Sequence, residues 1–174
     1  MTRFAFVLFA VLCWTSAFAA PIPSTGTVET YFSPCGGATE AIVREIGSAR
    51  QEILVQAYSF TSKPIAKALI EARKRGVKIE AVLDKSNATA KYSAATFLLN
   101  IGVPVLIDSE HAIAHNKIII IDRSTLVTGS FNFTSAAENK NAENLLIFKG
   151  NISLVDRYIQ NYEVHKAHSV PYSR

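Results

Sequence analysis

Cysteine is scarce in this sequence: only Cys13 and Cys35 carry thiols among 174 residues. Cys13 lies in an N-terminal stretch that reads as a leader, which leaves Cys35 alone and excludes an intramolecular disulfide. The fold must then be held by its core rather than by covalent staples. Cys35, in Pro34-Cys35-Gly36-Gly37, is expected to be a buried structural thiol, because free cysteines are usually buried. An excess of charge is also lacking. Charged residues make up 18% of the chain and hydrophobic ones 49%, so a core is available and disorder is not the expected state. The length suits one domain and hardly two.

A long apolar run is missing as well. Phe4 to Trp14 is apolar, but shorter than the about 20 residues needed to span a bilayer. Met1-Thr2-Arg3 gives it a positive start, and Ala17 and Ala19 are spaced as an A-x-A cleavage site. This pattern predicts a secretory signal peptide over residues 1–19, cut after Ala19, ahead of a domain over 20–174. The alternative is an uncleaved anchor helix. Leu12 before Cys13 disfavours a lipoprotein cut there. Losing the leader removes Arg3 and no acid, leaving 17 Lys and Arg against 14 Asp and Glu. A mildly basic chain suits a polyanionic partner such as nucleic acid. The expected location is periplasmic or secreted, with no stable membrane association once the leader is gone.

Hydrophobic periodicity predicts alternating elements. Strands are expected over 27–32, 52–60, 77–83 and 103–107, with helices over 38–51, 63–75 and 88–100 between them. Pro64 suits the first turn of the second helix, and Gly76 its end. The second half reads differently: strands over 117–122, 126–131 and 142–149, then a closing helix over 151–166. The first two of these strands are expected to form a hairpin through Arg123-Ser124-Thr125. The fold class is therefore α/β, a single-domain mixed sheet sandwiched by helices. Ile118 to Ile121 is apolar on both faces, as a strand between two helical layers requires.

The chemistry-bearing stretch is His115-x-Lys117-x4-Asp122-x6-Gly129-Ser130-x-Asn132. In a strand, residues two apart share a face, so His115 and Lys117 project together, as do Ser130 and Asn132. If the segments are neighbours, an imidazole, an ammonium, a hydroxyl and an amide converge. That set suits a phosphate. The imidazole can attack or shuttle protons, and the other groups can stabilise charge developing at phosphorus. Each residue alone has a plainer reading, as a packed histidine, a solvated lysine or a turn; the joint spacing is what carries the functional one.

This spacing resembles the HKD signature of the phospholipase D superfamily, with every defining position present. The likeness is strongest over residues 115–143 and weaker over 28–166. It implies a phospholipase D-like fold and phosphodiester hydrolysis without a cofactor. It implies catalytic roles for His115 and Lys117, and phosphate binding by Lys117, Ser130 and Asn132. Glu143 resembles the acidic residue that supports the catalytic histidine in this family. Asp122 belongs to the catalytic motif, but its odd offset from Lys117 turns it away, so its part is expected to be structural, tying the motif's two strands together.

A second H-x-K is also absent. His111 is followed by Ala112 and His165 directly by Lys166. The family's site needs two facing motifs, so a single motif implies a homodimer sharing one active site. In these respects the chain resembles the short, secreted bacterial endonucleases of the class, acting on DNA with RNA as a further candidate. The alternatives are a phospholipase D-type lipid phosphodiesterase and a nucleic-acid-binding module without catalysis. No metal is expected. His111 and His115 are four apart, but the glutamate of H-E-x-x-H is missing, and an extended chain separates them by about 13 Å. Lys63, Lys67, Arg73, Lys74, Arg75 and Lys78 are candidate phosphate contacts or a solvated face. Tyr58, Ser59, Phe60, Asp84 and Lys85 are weaker candidates at the same sheet edge. Asn87, Asn132 and Asn151 stand in N-x-S/T sequons; a glycan on Asn132 would block the pocket.

Overall fold

The isoleucine run decides the layering. In a computed structural model, which describes residues 20–90 and 93–173, every residue of Lys117–Ile121 is buried. Ile119 and Ile121 join the larger core, and Ile118 and Ile120 join a smaller one on the other face. The alternation of side chains across a strand thus feeds two cores from one segment. The expected leader lies outside the described residues.

In chain order the elements are β1 (Thr27–Ser33), α1 (Ala38–Ser48), β2 (Glu52–Ala57), α2 (Lys63–Lys74), β3 (Lys78–Asp84), α3 (Ser86–Thr89) and α4 (Ala94–Asn100). Then follow β4 (Val105–Asp108), β5 (Lys117–Ile121), β6 (Thr125–Gly129), α5 (Ser135–Asn139), β7 (Glu143–Lys149), α6 (Ile152–His168) and β8 (Val170–Pro171). Among the described residues they form one sheet of order β1-β7-β6-β5-β2-β3-β4-β8. The β2–β3 and β3–β4 pairs are parallel and the other pairs antiparallel. The sheet is therefore mixed and flanked by helices, as the pattern of periods indicated. The larger core packs Ile42 and Ile46 of α1, Ile65 and Leu69 of α2 and Leu98 of α4 against it. The opposite face carries Val155 and Ile159 of α6. No helix among the described residues is long and apolar enough to cross a membrane.

Several expectations need correction. The helix expected over 88–100 is two short helices. Ala90 turns extended, the Ser93 hydroxyl donates to the Asn87 carbonyl at 2.5 Å, and the Ala94 N–H donates to the Phe60 carbonyl at 2.8 Å. These bonds satisfy the break better than a continued helix would. The first helix ends at Ser48, not Gln51. Past it, the N–H groups of Arg50, Gln51 and Glu52 donate to the Asp122 carboxylate at 2.9, 2.8 and 3.0 Å. β6 stops at Gly129, where φ is 141° and a Cβ would collide with the Asn144 carbonyl. α5 and β8 are too short to announce themselves by period. Cys35 is exposed, not buried. It sits at a positive φ in a tight loop, its N–H bonded to the Glu138 carbonyl at 2.7 Å, and that loop lies outside the core.

Candidate functional site

The register brings the motif to one end of the sheet. Ala57 at the end of β2 pairs with Lys117 at the start of β5, and the Tyr58 N–H extends that ladder to the Asn116 carbonyl at 2.8 Å. Antiparallel pairing then places the end of β6 and the start of β7 at the same edge, with Gly129 opposite Leu145. His115, Lys117, Ser130, Asn132 and Glu143 therefore gather where β5 and β7 begin and β6 ends. Asp122 lies at the other end of β5, away from this group. Its carboxylate binds the start of β2 rather than linking β5 to β6, which corrects the part expected of it.

His115 is exposed, and its ring leans on Tyr58 with centroids 4.6 Å apart. Lys117 is buried. Its Nζ donates to the His115 carbonyl at 2.6 Å and stands 5.3 Å from the centre of the Tyr58 ring. Burial lowers the Lys117 pKa, while the Glu143 carboxylate opposes that shift. A buried ammonium with donors to spare suits an incoming phosphate oxygen. Asn132 Oδ1 is buried without a hydrogen-bond partner.

Glu143 does not meet its expectation in this chain. Among the described residues its carboxylate is engaged by the Ser130 hydroxyl at 2.6 Å and by the Asn141 amide at 3.0 Å, not by the His115 ring. The reason is register: Glu143 opens β7 directly beside the segment leaving β6. The Ser130 hydroxyl also accepts the Asn144 N–H at 3.0 Å, so Ser130 and Glu143 form one fixed unit. The ring that His115 touches is Tyr58, which the sequence offered only as a weaker candidate at this sheet edge.

Asp84 has a clear part. It ends β3, is buried, and accepts the Ala114 N–H at 2.8 Å, one residue before His115. It also accepts the Ser86 N–H at 2.9 Å and the Ser86 hydroxyl at 2.6 Å. Burial raises its pKa, but these hydrogen bonds and the Lys85 ammonium outweigh it, so the carboxyl titrates below its ordinary range. A depressed carboxyl pKa means stability fully present above that range and lost as pH falls through the folded value. Asp84→Asn should therefore cost about 2–3 kcal/mol near neutrality. In denaturant melts the gap to the native chain should shrink on acidification; a gap that stays constant with pH would contradict this.

The basic residues separate into two groups. Lys63 and Lys67 line a groove of about 480 Å³ with Thr61, Ser62, Ala94 and Phe97. It adjoins the motif, because the Thr61 and Ser62 N–H groups donate to the Phe133 carbonyl. At the far end of α2, Arg73 donates to the Ile101 carbonyl, Arg75 to the Ile46 carbonyl, and Lys74 pairs with Glu71. Arg73 and Arg75 thus hold the fold, whereas Lys74 makes only an exposed pair within its own helix. Two of the three sequon asparagines are engaged: Asn87 donates to the Tyr58 carbonyl, and Asn151 caps α6 by accepting the Leu154 N–H. His111 does not pair with His115. It meets His165 and His168 around Asp108, a gathering the sequence reading missed. Its only trace was the i,i+3 spacing of His165 and His168 on one helix.

Comparison with known proteins bears on the family and the fold. Residues 42–165 match the family described as cardiolipin synthase, PLD-like domain. The chain is 42% identical over 144 residues to a protein named phospholipase D from Rickettsia bellii, spanning 83% of this chain and 71% of that one. Among solved structures it is similar to Nuc from Salmonella typhimurium, a phospholipase D family member. That match has a TM-score of 0.81 and 37% identity, and covers 86% of this chain and 100% of Nuc. NucT from Helicobacter pylori shares the fold, with a TM-score of 0.74 at 22% identity, over 84% of this chain and 100% of NucT.

Proposed function

Because this chain belongs to the phospholipase D superfamily and is a phosphodiester hydrolase, we propose that it is a metal-independent endonuclease, working as a homodimer on DNA, with RNA as a second candidate substrate. The observation that carries the reading is the convergence of His115, Lys117, Ser130 and Asn132 at one sheet edge, with the His115 ring left exposed. A lone half-site has one imidazole, and the reaction needs two in different protonation states. In the proposed sequence, His115 of one protomer attacks phosphorus. A P–N bond forms as the P–O bond to the leaving alkoxide breaks. The imidazolium of the second protomer's His115 gives that alkoxide its proton. The same ring, now neutral, takes a proton from water, whose oxygen then displaces the first histidine and leaves a phosphomonoester. Lys117 and Asn132 hold the non-bridging oxygens through both displacements. Ser130 sets Glu143 in place beside them.

The shared site also gives a purpose to apolar surface at this edge. Phe32, next to Ser33 opposite Glu143, is 67% exposed, and Ile113, two residues before His115, is 57% exposed. A second copy seated there would cover them. Lys63 and Lys67 beside the motif and the net positive charge support a polyanionic substrate. The relative named phospholipase D supports a lipid phosphodiester as the second reading. Supercoiled plasmid and phosphatidylcholine vesicles, each incubated with the purified protein in EDTA, separate the two. The plasmid should be nicked and the vesicles left intact. Released headgroup with intact plasmid would replace the nuclease reading by the lipid one. We further propose secretion to the periplasm or beyond, on the strength of the N-terminal leader pattern.

A further inference from the structure

Asp108 ends β4 and its side chain is wholly buried. Three imidazoles surround it. His111 Nδ1 lies 3.0 Å from Oδ2, His165 Nδ1 2.8 Å and His168 Nε2 3.3 Å. His111 stands in the turn after β4. His165 and His168 lie three apart on the last turn of α6, so they face the same way. One donor atom from each of the four residues can be chosen so that all lie within 4.8 Å of one another.

Hydrogen bonding alone does not satisfy this cluster. Three ring nitrogens converge on one carboxylate oxygen, which offers two lone pairs. Oδ1 is already shared by the Glu110 N–H at 3.2 Å, the His111 N–H at 3.5 Å and His111 Nδ1 at 3.1 Å. The surplus is visible: His168 Nε2 is buried and makes no hydrogen bond of acceptable geometry, despite its closeness to Asp108. Charging all three rings is no remedy. Their centroids are 4.8, 5.2 and 5.4 Å apart, and one carboxylate faces three cations. A divalent cation uses the same atoms differently. It takes one lone pair from each neutral imidazole and one from the carboxylate, and leaves no orphan.

We propose that Asp108, His111, His165 and His168 form a structural zinc-binding site that clamps the end of α6 to the turn after β4, apart from the metal-independent chemistry at His115. Three imidazoles and one carboxylate are a nitrogen-rich set that suits zinc and disfavours magnesium or calcium. Tetrahedral ligation with bonds of about 2.0–2.1 Å spaces donors about 3.3 Å apart, so the donors now up to 4.8 Å apart must draw together while His165 Nδ1 and His111 Nδ1 move slightly off Oδ2. Four protein ligands close the coordination shell, which makes the ion structural. The role is mechanical: β4, the loop and α6 meet at one point, and Ala114 in the same loop is already held by Asp84.

The readout is metal binding, not turnover, so the site stands or falls apart from the proposed reaction. Purified, untagged protein is stripped with chelator, dialysed and titrated with zinc chloride by calorimetry. The expected result is one zinc per chain with Kd below about 1 µM, and visible d–d bands of a tetrahedral site when cobalt replaces zinc. His111→Ala removes a ligand itself and should weaken binding by more than the about 10- to 100-fold that loss of an outer-shell partner costs. The His111→Ala/His168→Ala double variant should take up no zinc and lose the rise in melting temperature that zinc gives the native chain. Circular dichroism of both variants establishes that they are folded. Weaker binding by the native chain, or the same affinity in the double variant, overturns the site.

Discussion

Replacing His115 with alanine is expected to lower turnover of a phosphodiester substrate by at least about 10³-fold. The loss should be this large because one substitution removes two functions. In a shared site the same residue is nucleophile in one protomer and acid, then base, in the other. The fold should not suffer: the ring is exposed and its contact is with Tyr58, and surface truncations seldom move stability by more than about 0.5 kcal/mol. Plasmid nicking by the variant within tenfold of the native chain, with unchanged melting, would remove His115 from the reaction.

Lys117→Met is expected to lower kcat/KM by about 10²–10³-fold. Methionine fills most of the volume of the buried lysine stem but has no charge to offer the phosphate. Two effects compete at this position. The ammonium costs folding energy, since burial works against its charged form, and it stabilises the transition state. Methionine removes both, so the variant should melt no lower than the native chain while its catalysis collapses. That opposite movement distinguishes a group kept for chemistry from one kept for packing. A variant that loses stability and activity together would make Lys117 structural.

How much of this was legible in the sequence differs by element. The buried isoleucine run and the strand–helix alternation were, because period and composition are local properties. The gathering of His115, Lys117, Ser130 and Asn132 was legible through a spacing that only adjacent strands bring together. The fate of Glu143 was not, because it depends on the step from β6 to β7, where Gly129 bends the chain and hands the carboxylate to Ser130. Nor was the end of α3 at Thr89, set by bonds to Asn87 and Phe60 that are distant or irregular. The cluster around Asp108 unites residues 57 apart, and no local pattern joins them. Cys35 shows the limit of a base-rate argument: a tight glycine loop placed it outside.

The central claim, that each chain holds half a site and the reaction needs both copies of His115, is tested most directly by mixing. Native and His115→Ala chains are combined in equal amounts, allowed to exchange subunits, and assayed on plasmid in EDTA. With one shared site per dimer, only about a quarter of dimers keep both histidines. The account predicts that activity falls to about a quarter of that of the same amount of native protein. Activity that stays at half after exchange would mean each chain works alone, and would contradict the account.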